Sequence, residues 1–466
     1  MKNALIIGGG ITGLAAAYRL QILAPDISII LIEQDNRLGG KLLTEQVNGF
    51  LIEAGPDSFL SRKPRGVGLC EELGLTNLFQ ARDPRHNKTF VRRHGALHPL
   101  PSGLTGMIPT NLDALNNSTL ISPEGKARLA QEPDLPPAPG NDDESVAQFV
   151  SRRLGREVYE NVVEPLMSGI YAGDGEQLSL LATFPQLRQL ERKYGSLIKG
   201  LLANQAASGA ASANYPPFIS LRPGISELVT QLLARLTNTK IVTGVGVKAL
   251  TQTAGRGYTA TLSDGQRINA DALIITTPAF VTARLVETID PTLAEAHAAI
   301  PYVSSATVCL AFAPSDLPAP LVGYGYVVPR AEDTDVLAAT WTSNKWEGRA
   351  PDDQVLVRIY LGRYGRRDVS LEDDTTLLDM AYTELRETAG ITAKGYLSHI
   401  YRWPLGMPQY KVGHLQRLAA IEERLAQHSN LLVAGAAYRG VGIPDCILAG
   451  EQAAQGVANY LSQRDE

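Results

Sequence analysis

Apolar residues gather into strand-length runs at Ala4-Leu5-Ile6-Ile7, at residues 27–32 with Ser28 the one polar member, and at Leu431-Leu432-Val433-Ala434. Runs of that length predict strands. The first is followed by Leu14-Ala15-Ala16-Ala17-Tyr18-Arg19-Leu20, which continues as a helix. The last leads through a glycine-rich turn into a final helix reaching about Leu461, with Pro444 near its first position, where a missing N–H costs nothing. Pro223-Gly224-Ile225-Ser226 opens another helix. After it, residues 240–243, 246–250, 258–262 and 272–278 read as three or four short strands returning to the first sheet. Residues 301–365 alternate in strand fashion and predict an antiparallel sheet roofing a site, followed by a helix over about 371–389.

The remaining stretch is different in kind. Residues 87–101 predict a strand pair around a His94-Gly95 turn, and 102–215 reads as helical and loop-rich. One helix starts near Glu144-Ser145 and stops at Gly155; another runs from Arg156 to about Val163, ahead of Pro165. Residues 132–143 have the composition of a mobile loop, and residues 203–217 that of a flexible connector.

Between the first strand and its helix stands Gly8-Gly9-Gly10-Ile11-Thr12-Gly13, and the second strand ends in Glu33, twenty residues after Gly13. Strand, G-x-G-x-x-G, helix, strand and acid together form the context of an adenine-dinucleotide fingerprint. Gly8 makes the tight turn, Gly10 admits a pyrophosphate to the backbone, and Gly13 lets helix and strand pack closely. The helix N-terminus offers N–H groups and positive dipole to phosphates. Glu33 accepts from ribose hydroxyls and repels the extra phosphate of NADP. The fingerprint leaves FAD and NAD both open.

Composition narrows the field further. A chain of 466 residues exceeds one compact core, so two or three subdomains are expected. A net charge of −5 gives no reason to expect nucleic acid. The chain passes directly from Met1-Lys2-Asn3 into a strand, without the regions of a signal peptide, and it has no apolar run of transmembrane length. Three well-separated cysteines read as reduced thiols of a cytoplasmic protein, and the seven histidines show no ligand spacing, so no metal is expected. Gly244-x-Gly246 lacks a third glycine and a following helix, which argues against a second nucleotide site.

Arg37-Leu38-Gly39-Gly40-Lys41 and Gly55-Pro56-Asp57-Ser58 come next. Alone, the first is a turn between solvated cations. After the fingerprint, the pair resembles the FAD-binding signature of the amine oxidase-like flavoprotein superfamily, in which the di-glycine segment lies along the pyrophosphate and the Gly-Pro-x-Ser segment approaches the flavin. That resemblance favours FAD over NAD. The C-terminal turn into the last helix would then place a helix N-terminus at the pyrimidine end of the isoalloxazine, where reduced flavin carries negative charge.

Four further stretches resemble the porphyrinogen oxidases, FAD enzymes of haem synthesis that act on coproporphyrinogen III or protoporphyrinogen IX. They are Asp57-Ser58-Phe59-Leu60-Ser61-Arg62-Lys63-Pro64, the segment Leu166-Met167-Ser168-Gly169-Ile170-Tyr171-Ala172-Gly173-Asp174, the segment Trp403-Pro404-Leu405-Gly406-Met407-Pro408-Gln409-Tyr410-Lys411-Val412-Gly413-His414, and Tyr438-Arg439-Gly440-Val441-Gly442-Ile443-Pro444-Asp445-Cys446. The resemblance spans the chain in matching order. Monoamine oxidases and carotenoid desaturases, the more distant alternatives, share only the fingerprint. The fold it implies is α/β, with a Rossmann-like FAD domain in three pieces (1–86, 218–290, 415–466). To this are added an α+β substrate domain (87–101 and 291–414) and a helical subdomain (102–217).

By the same resemblance, FAD contacts Gly8, Gly10, Ile11, Thr12, Gly13, Glu33, Arg37, Gly39, Gly40, Lys41, Gly55, Pro56, Asp57, Ser58, the Val247 backbone, Trp403, Val441, Gly442 and Ile443. Tyr438 and Arg439 stand where some relatives carry a tethering cysteine, so FAD is expected to be non-covalent. The Gly169 carbonyl, Val327, Thr340 and Tyr360 surround the tetrapyrrole. A basic residue on the 88–93 strand would pair with a propionate; Lys88, Arg92 and Arg93 compete for that role, Arg62 is an alternative, and Thr89 occupies the position where arginine is expected. The implied reaction is hydride transfer from a meso carbon to flavin N5 with loss of a pyrrole proton. O2 then reoxidises the flavin to give H2O2, over three rounds. No catalytic base stands out. Membrane-attached relatives dock through the region that here reads Ile108-Pro109-Thr110-Asn111-Leu112-Asp113-Ala114-Leu115-Asn116-Asn117-Ser118, which is polar, so a soluble protein, weakly peripheral at most, is expected. That leans toward coproporphyrinogen III. A hand-over of product to a ferrochelatase, as a monomer or homodimer, is compatible with it.

Overall fold

The computed structural model describes residues 2–140, 142–207, 215–253 and 257–463. The three apolar runs meet in one five-stranded parallel sheet. Its order is Thr239–Val242, Ser28–Ile32, Asn3–Ile7, Ala272–Ile275, Leu431–Val433, with Ala4 opposite Ile29 on one side and Ala272 on the other. Leu5 and Ile6 are fully buried on opposite faces of the central strand, which explains why this run lacks polar alternation. Of the strands expected to return here, only Thr239–Val242 and Ala272–Ile275 do so. Val247–Gln252, Tyr258–Leu262 and Arg267–Ala270 form a separate antiparallel meander. Lys248, Thr251 and Gln252 are exposed, the last two on opposite faces of that first strand, so it cannot be sandwiched between helices.

The fingerprint helix, Ile11–Leu23, and the terminal helix, Ile443–Ser462, pack side by side against this sheet. Small residues permit it: a Cβ on Gly450 would lie 2.2 Å from the Thr12 carbonyl oxygen and 3.2 Å from the Ala16 amide. The two N-termini therefore open at the same end of the sheet, the carboxyl end of its strands.

The roof is a seven-stranded sheet in the order Leu397–Pro408, Tyr302–Phe312, Val355–Leu361, Val336–Trp341, Gly325–Val327, Phe90–Arg93, Ala96–Pro99. It is antiparallel with one exception: Gly325–Val327 runs parallel to Phe90–Arg93, because the whole helical region separates the two in sequence. Its far face, including Tyr326, Ala339, Ile359 and Val308, packs with Leu377, Ala381 and Leu385 of the helix Asp374–Ala389. Its near face presents Val327, Ala338, Thr340 and Tyr360.

Three expectations for the helical region need correction. Helix does not stop at Pro165. A π segment, Tyr159–Val163, leads into a further helix, Glu164–Tyr171, and Pro165 takes a first-turn position of the resumed helix, where no N–H is required. The stretch 132–143 is pinned rather than mobile where it begins. Glu132 is fully buried, paired with Arg153, and it accepts from the Ser196 hydroxyl and the Leu197 amide. Residues 203–207 of the expected connector belong to the helix Leu197–Ala207, while 208–214, like residue 141, lie outside the described residues.

Candidate functional site

The fingerprint glycines take three distinct jobs. Gly8 has φ +111°, and a Cβ there would meet the Thr276 hydroxyl at 2.6 Å. A Cβ on Gly13 would lie 1.9 Å from the Gly8 carbonyl oxygen, so strand and helix touch there. A Cβ on Gly10 meets nothing within 4 Å. That open face is floored by the di-glycine loop: the Gly39 amide donates to the Gly9 carbonyl at 2.8 Å, and a Gly40 Cβ would sit 3.1 Å from Gly10 Cα. Ile11, Thr12 and Gly13 form the first turn of the helix beside it, where amides lack intrahelical acceptors. Arg37 does not face this space with its charge. Its guanidinium donates to the Leu38 and Gly40 carbonyls and braces the loop.

Glu33 closes the adjacent end. Its carboxylate accepts from the Gly9 amide at 2.6 Å and the Asp35 amide at 2.9 Å, which fixes its rotamer and leaves lone pairs for hydroxyls. The Val245 amide donates to the Glu33 carbonyl at 3.2 Å, so Val247, half-buried, follows two residues beyond this contact.

At the other end, a Gly55 Cβ would lie 2.0 Å from the Lys41 carbonyl and 3.7 Å from the Trp403 ring. The Trp403 indole N–H donates to Ala54 at 3.1 Å, which holds the ring on that backbone. Pro56 and Ser58 are half-buried beside it. Asp57 is spent inward. Its carboxylate accepts from Lys345 at 2.8 Å, from the Trp346 indole at 3.0 Å and from the Ser58 hydroxyl at 2.7 Å, with Arg358 at 3.6 Å, and its carbonyl accepts from Ser220 at 2.6 Å. Burial alone would raise its pKa; Lys345 and Arg358 outweigh burial and hold the carboxyl well below the usual range. Only its amide remains for a ligand.

Lys41 shows what lies between these walls. Its side chain is exposed to solvent, yet burial within the protein lowers its ammonium below the usual lysine value. Both hold if the side chain projects into an internal hollow. The titrating group that acts on it is Cys446, whose thiol burial pushes up to about 11 and which hydrogen-bonds Thr12. Lys41 therefore stands where the two helix N-termini meet.

The C-terminal turn is set by residues outside it. The Gly442 amide bonds the Asp445 carboxylate at 3.2 Å, and Asp445 pairs with Lys63. Val441 is half-buried against the helical subdomain, and Ile443 is buried. The Tyr410 hydroxyl donates to the Ala436 carbonyl and accepts from the Gly440 amide at 2.9 Å. His414 stacks on Tyr410 with centroids 4.2 Å apart, and its Nε2 reaches the Tyr438 carbonyl at 2.9 Å. The sequence marked this pair only as part of a motif; its i, i+4 spacing is the signal that both serve one neighbour.

Burial lowers both His414 and His297 to about 4, so both are neutral in the folded protein. A depressed folded pKa means the stability is full above the unfolded value near ~6.5 and is lost as pH falls through that window toward about 4. Each histidine is expected to remove about 1.4 kcal/mol per pH unit across it. The melting temperature should decline from pH 6.5 to 4, and replacing His297 by Phe should flatten the slope; an unchanged slope would count against the assignment.

Over the hollow, Gly169 and Ile170 are exposed at the end of the helix Glu164–Tyr171, and a Gly169 Cβ would lie 3.9 Å from Val327. Val327, Thr340 and Tyr360 thus face Gly169 from the roof. Tyr360 hydrogen-bonds Thr340, lies 4.9 Å from the Arg358 guanidinium, and is pushed up to about 12 by burial, so it stays protonated. Arg92 is not in this group. Phe90 and Arg92 share the far face of their strand, and the Arg92 guanidinium is buried between Glu384 at 2.8 Å and Glu387 at 2.9 Å. Being paired there rules it out as a propionate anchor. Lys88 and Arg62 are both exposed. Among the described residues no His, Cys, Asp and Glu cluster could hold a metal.

An open glycine cradle, an acid at one end, two converging helix N-termini and a lysine in the hollow fit a dinucleotide carrying a flat ring system. The family of flavin containing amine oxidoreductases matches residues 11–458, so the cofactor the site serves is a flavin. The chain is 36% identical to the coproporphyrinogen III oxidase of Bacillus subtilis, over 99% of this chain and 98% of that one. To the Staphylococcus aureus enzyme of the same name it is 34% identical, over 99% and 100%. A solved structure from Exiguobacterium sp. 255-15, carrying a provisional protoporphyrinogen oxidase assignment, superposes with a TM-score of 0.88 at 33% identity, over 98% and 99% of the two chains. The chain belongs to the porphyrinogen oxidases of the flavin amine oxidoreductase family.

Proposed function

We propose that this chain oxidises coproporphyrinogen III to coproporphyrin III in haem synthesis, using non-covalently held FAD and O2. Full-length similarity at 34 to 36% to coproporphyrinogen III oxidases carries the substrate assignment. Protoporphyrinogen IX is the second reading, favoured by the Exiguobacterium structure. A bound flavin supplies hydride acceptance and reduction of O2 to H2O2, three times for six electrons.

The protein supplies position and charge. Gly8, Gly10, Ile11, Thr12, Gly13, Gly39 and Gly40 cradle the pyrophosphate, Glu33 takes the ribose, and Val247 borders the adenine. Lys41, Gly55, Pro56, Ser58, Trp403, Val441, Gly442 and Ile443 border the flavin, with the terminal helix favouring negative charge at its pyrimidine end. Arg37 acts through the di-glycine loop. Gly169, Val327, Thr340 and Tyr360 hold the macrocycle flat against the ring, and the near face of the roof excludes water. Cys446 is buried and thiol-protonated, which suits a flavin held without a covalent tether. Among the described residues no helix is long and apolar enough to cross a membrane.

The test is aerobic incubation with each porphyrinogen, following porphyrin fluorescence and peroxide. Oxidation of coproporphyrinogen III well above its spontaneous rate is expected. Turnover of an amine, or of neither porphyrinogen, sinks the reading.

A further inference from the structure

With Arg92 buried among glutamates, the substrate's carboxylates need another partner, and the structure offers one that no sequence pattern announced. The Arg82 guanidinium lies between two rings, 4.8 Å from the Phe218 centroid and 5.1 Å from that of Tyr324. Among the described residues it makes no hydrogen bond and no ion pair, although it is only half-buried. The carboxylate beside it, Asp83, is spent on Arg85 and on the Arg85 amide.

Arg82 is the middle of an arc of cations. Phe218 pairs in register with Leu60, and the Ser61 amide donates to Pro217 at 3.1 Å, which brings exposed Arg62 alongside. On the other side the Tyr324 amide donates to the Lys88 carbonyl at 2.7 Å. Arg62, Arg82 and Lys88 thus follow one another, and no carboxylate is paired with any of the three among the described residues. The arc adjoins the cavity. The Asp83 amide donates to the Lys345 carbonyl at 3.0 Å, and Lys345 reaches Asp57 in the flavin-side segment. Tyr324 directly precedes Gly325, which is paired with Thr340 on the near face of the roof.

We infer that Arg82, flanked by Arg62 and Lys88, anchors propionates of the substrate at the cavity rim and so favours a tetracarboxylate porphyrinogen over a dicarboxylate one. This rests on the porphyrinogen reading above. A guanidinium stacked between rings is already ordered, and its planar fork matches a carboxylate with two parallel bonds. Its aromatic walls leave the N–H edge as its free side. A dicarboxylate substrate, with apolar groups where two propionates would be, leaves part of the arc unmatched.

The test compares the flavin-loaded chain with its Arg82→Gln variant on both porphyrinogens. KM for coproporphyrinogen III is expected to rise about tenfold, the loss of one charge-assisted contact at a partly exposed rim, with kcat within about twofold. KM for protoporphyrinogen IX should rise less, flavin content and melting temperature should hold, and Arg82→Lys should recover part of the loss. Equal KM changes for both substrates, or none, overturn the inference, as does loss of flavin with loss of kcat. Titration with coproporphyrin III, followed by its Soret band, separates the two proposals. Arg82-dependent binding by a chain that oxidises neither porphyrinogen upholds the anchor while the reaction fails. Active chain indifferent to Arg82→Gln sinks the anchor alone.

Discussion

A Gly10→Val chain is expected to fold, to melt where the parent melts, and to purify colourless. The backbone permits the change: Gly10 has φ −72° and ψ 178°, an extended conformation any residue adopts, and its Cβ direction is empty to 4 Å. What the isopropyl group fills is the space between the fingerprint helix and the di-glycine loop. A side chain intruding there costs the ligand about 3 kcal/mol, or roughly a hundredfold in affinity. The informative control is Gly13→Ala. One methyl group there would lie 1.9 Å from the Gly8 carbonyl, so the loss should appear in folding itself. Flavin absorbance read beside a circular-dichroism melt distinguishes the two variants. A yellow Gly10→Val protein would remove the pyrophosphate from this place.

The Asp57→Asn variant should lose about 3 to 5 kcal/mol of stability, because it keeps the shape and removes the one charge that Lys345 and Arg358 share. Arg358 is fully buried and has no second carboxylate within ion-pair distance among the described residues. The sign with pH follows from the depressed carboxyl. Its contribution is complete above the ordinary aspartate range near ~3.9 and fades only as pH falls below it. Urea melts of parent and variant should stay equally far apart from pH 8 to 5 and converge only in stronger acid. A gap that closes already at pH 6 would mean the carboxylate is not held as described.

Much of the cofactor end was legible because it is local. Strand, glycines, helix and acid lie within the first 33 residues, and the contacts that join them to one another, Glu33 to the Gly9 amide and Gly13 against the Gly8 carbonyl, are local. The roof strands were legible as strands, but which face each residue shows depends on pairings made far along the chain. Arg92 and Val91 differ by one position, and only the parallel register with Val327 and the helix carrying Glu384 decides which points inward. Pro165 misled because an isolated proline reads as a stop unless a π segment precedes it. Arg82 was invisible for a third reason. Its rings come from positions 218 and 324, so no window of sequence contains the sandwich.

The central position of Asn3–Ile7 in the five-stranded sheet also bears on how the chain is made. As the chain is made, Asn3–Ile7 finds Ser28–Ile32 at once but waits for Ala272–Ile275 on its other edge. The sheet gains its last strand only with Leu431–Val433. Phe90–Arg93 waits in the same way for Gly325–Val327. Until then the nascent chain carries open strand edges rich in isoleucine and leucine, the kind that pair with the wrong neighbour. Synthesis of this protein should depend on chaperones that shield such edges, and truncations ending before residue 272 should be recovered as aggregates rather than as a small flavin-binding domain.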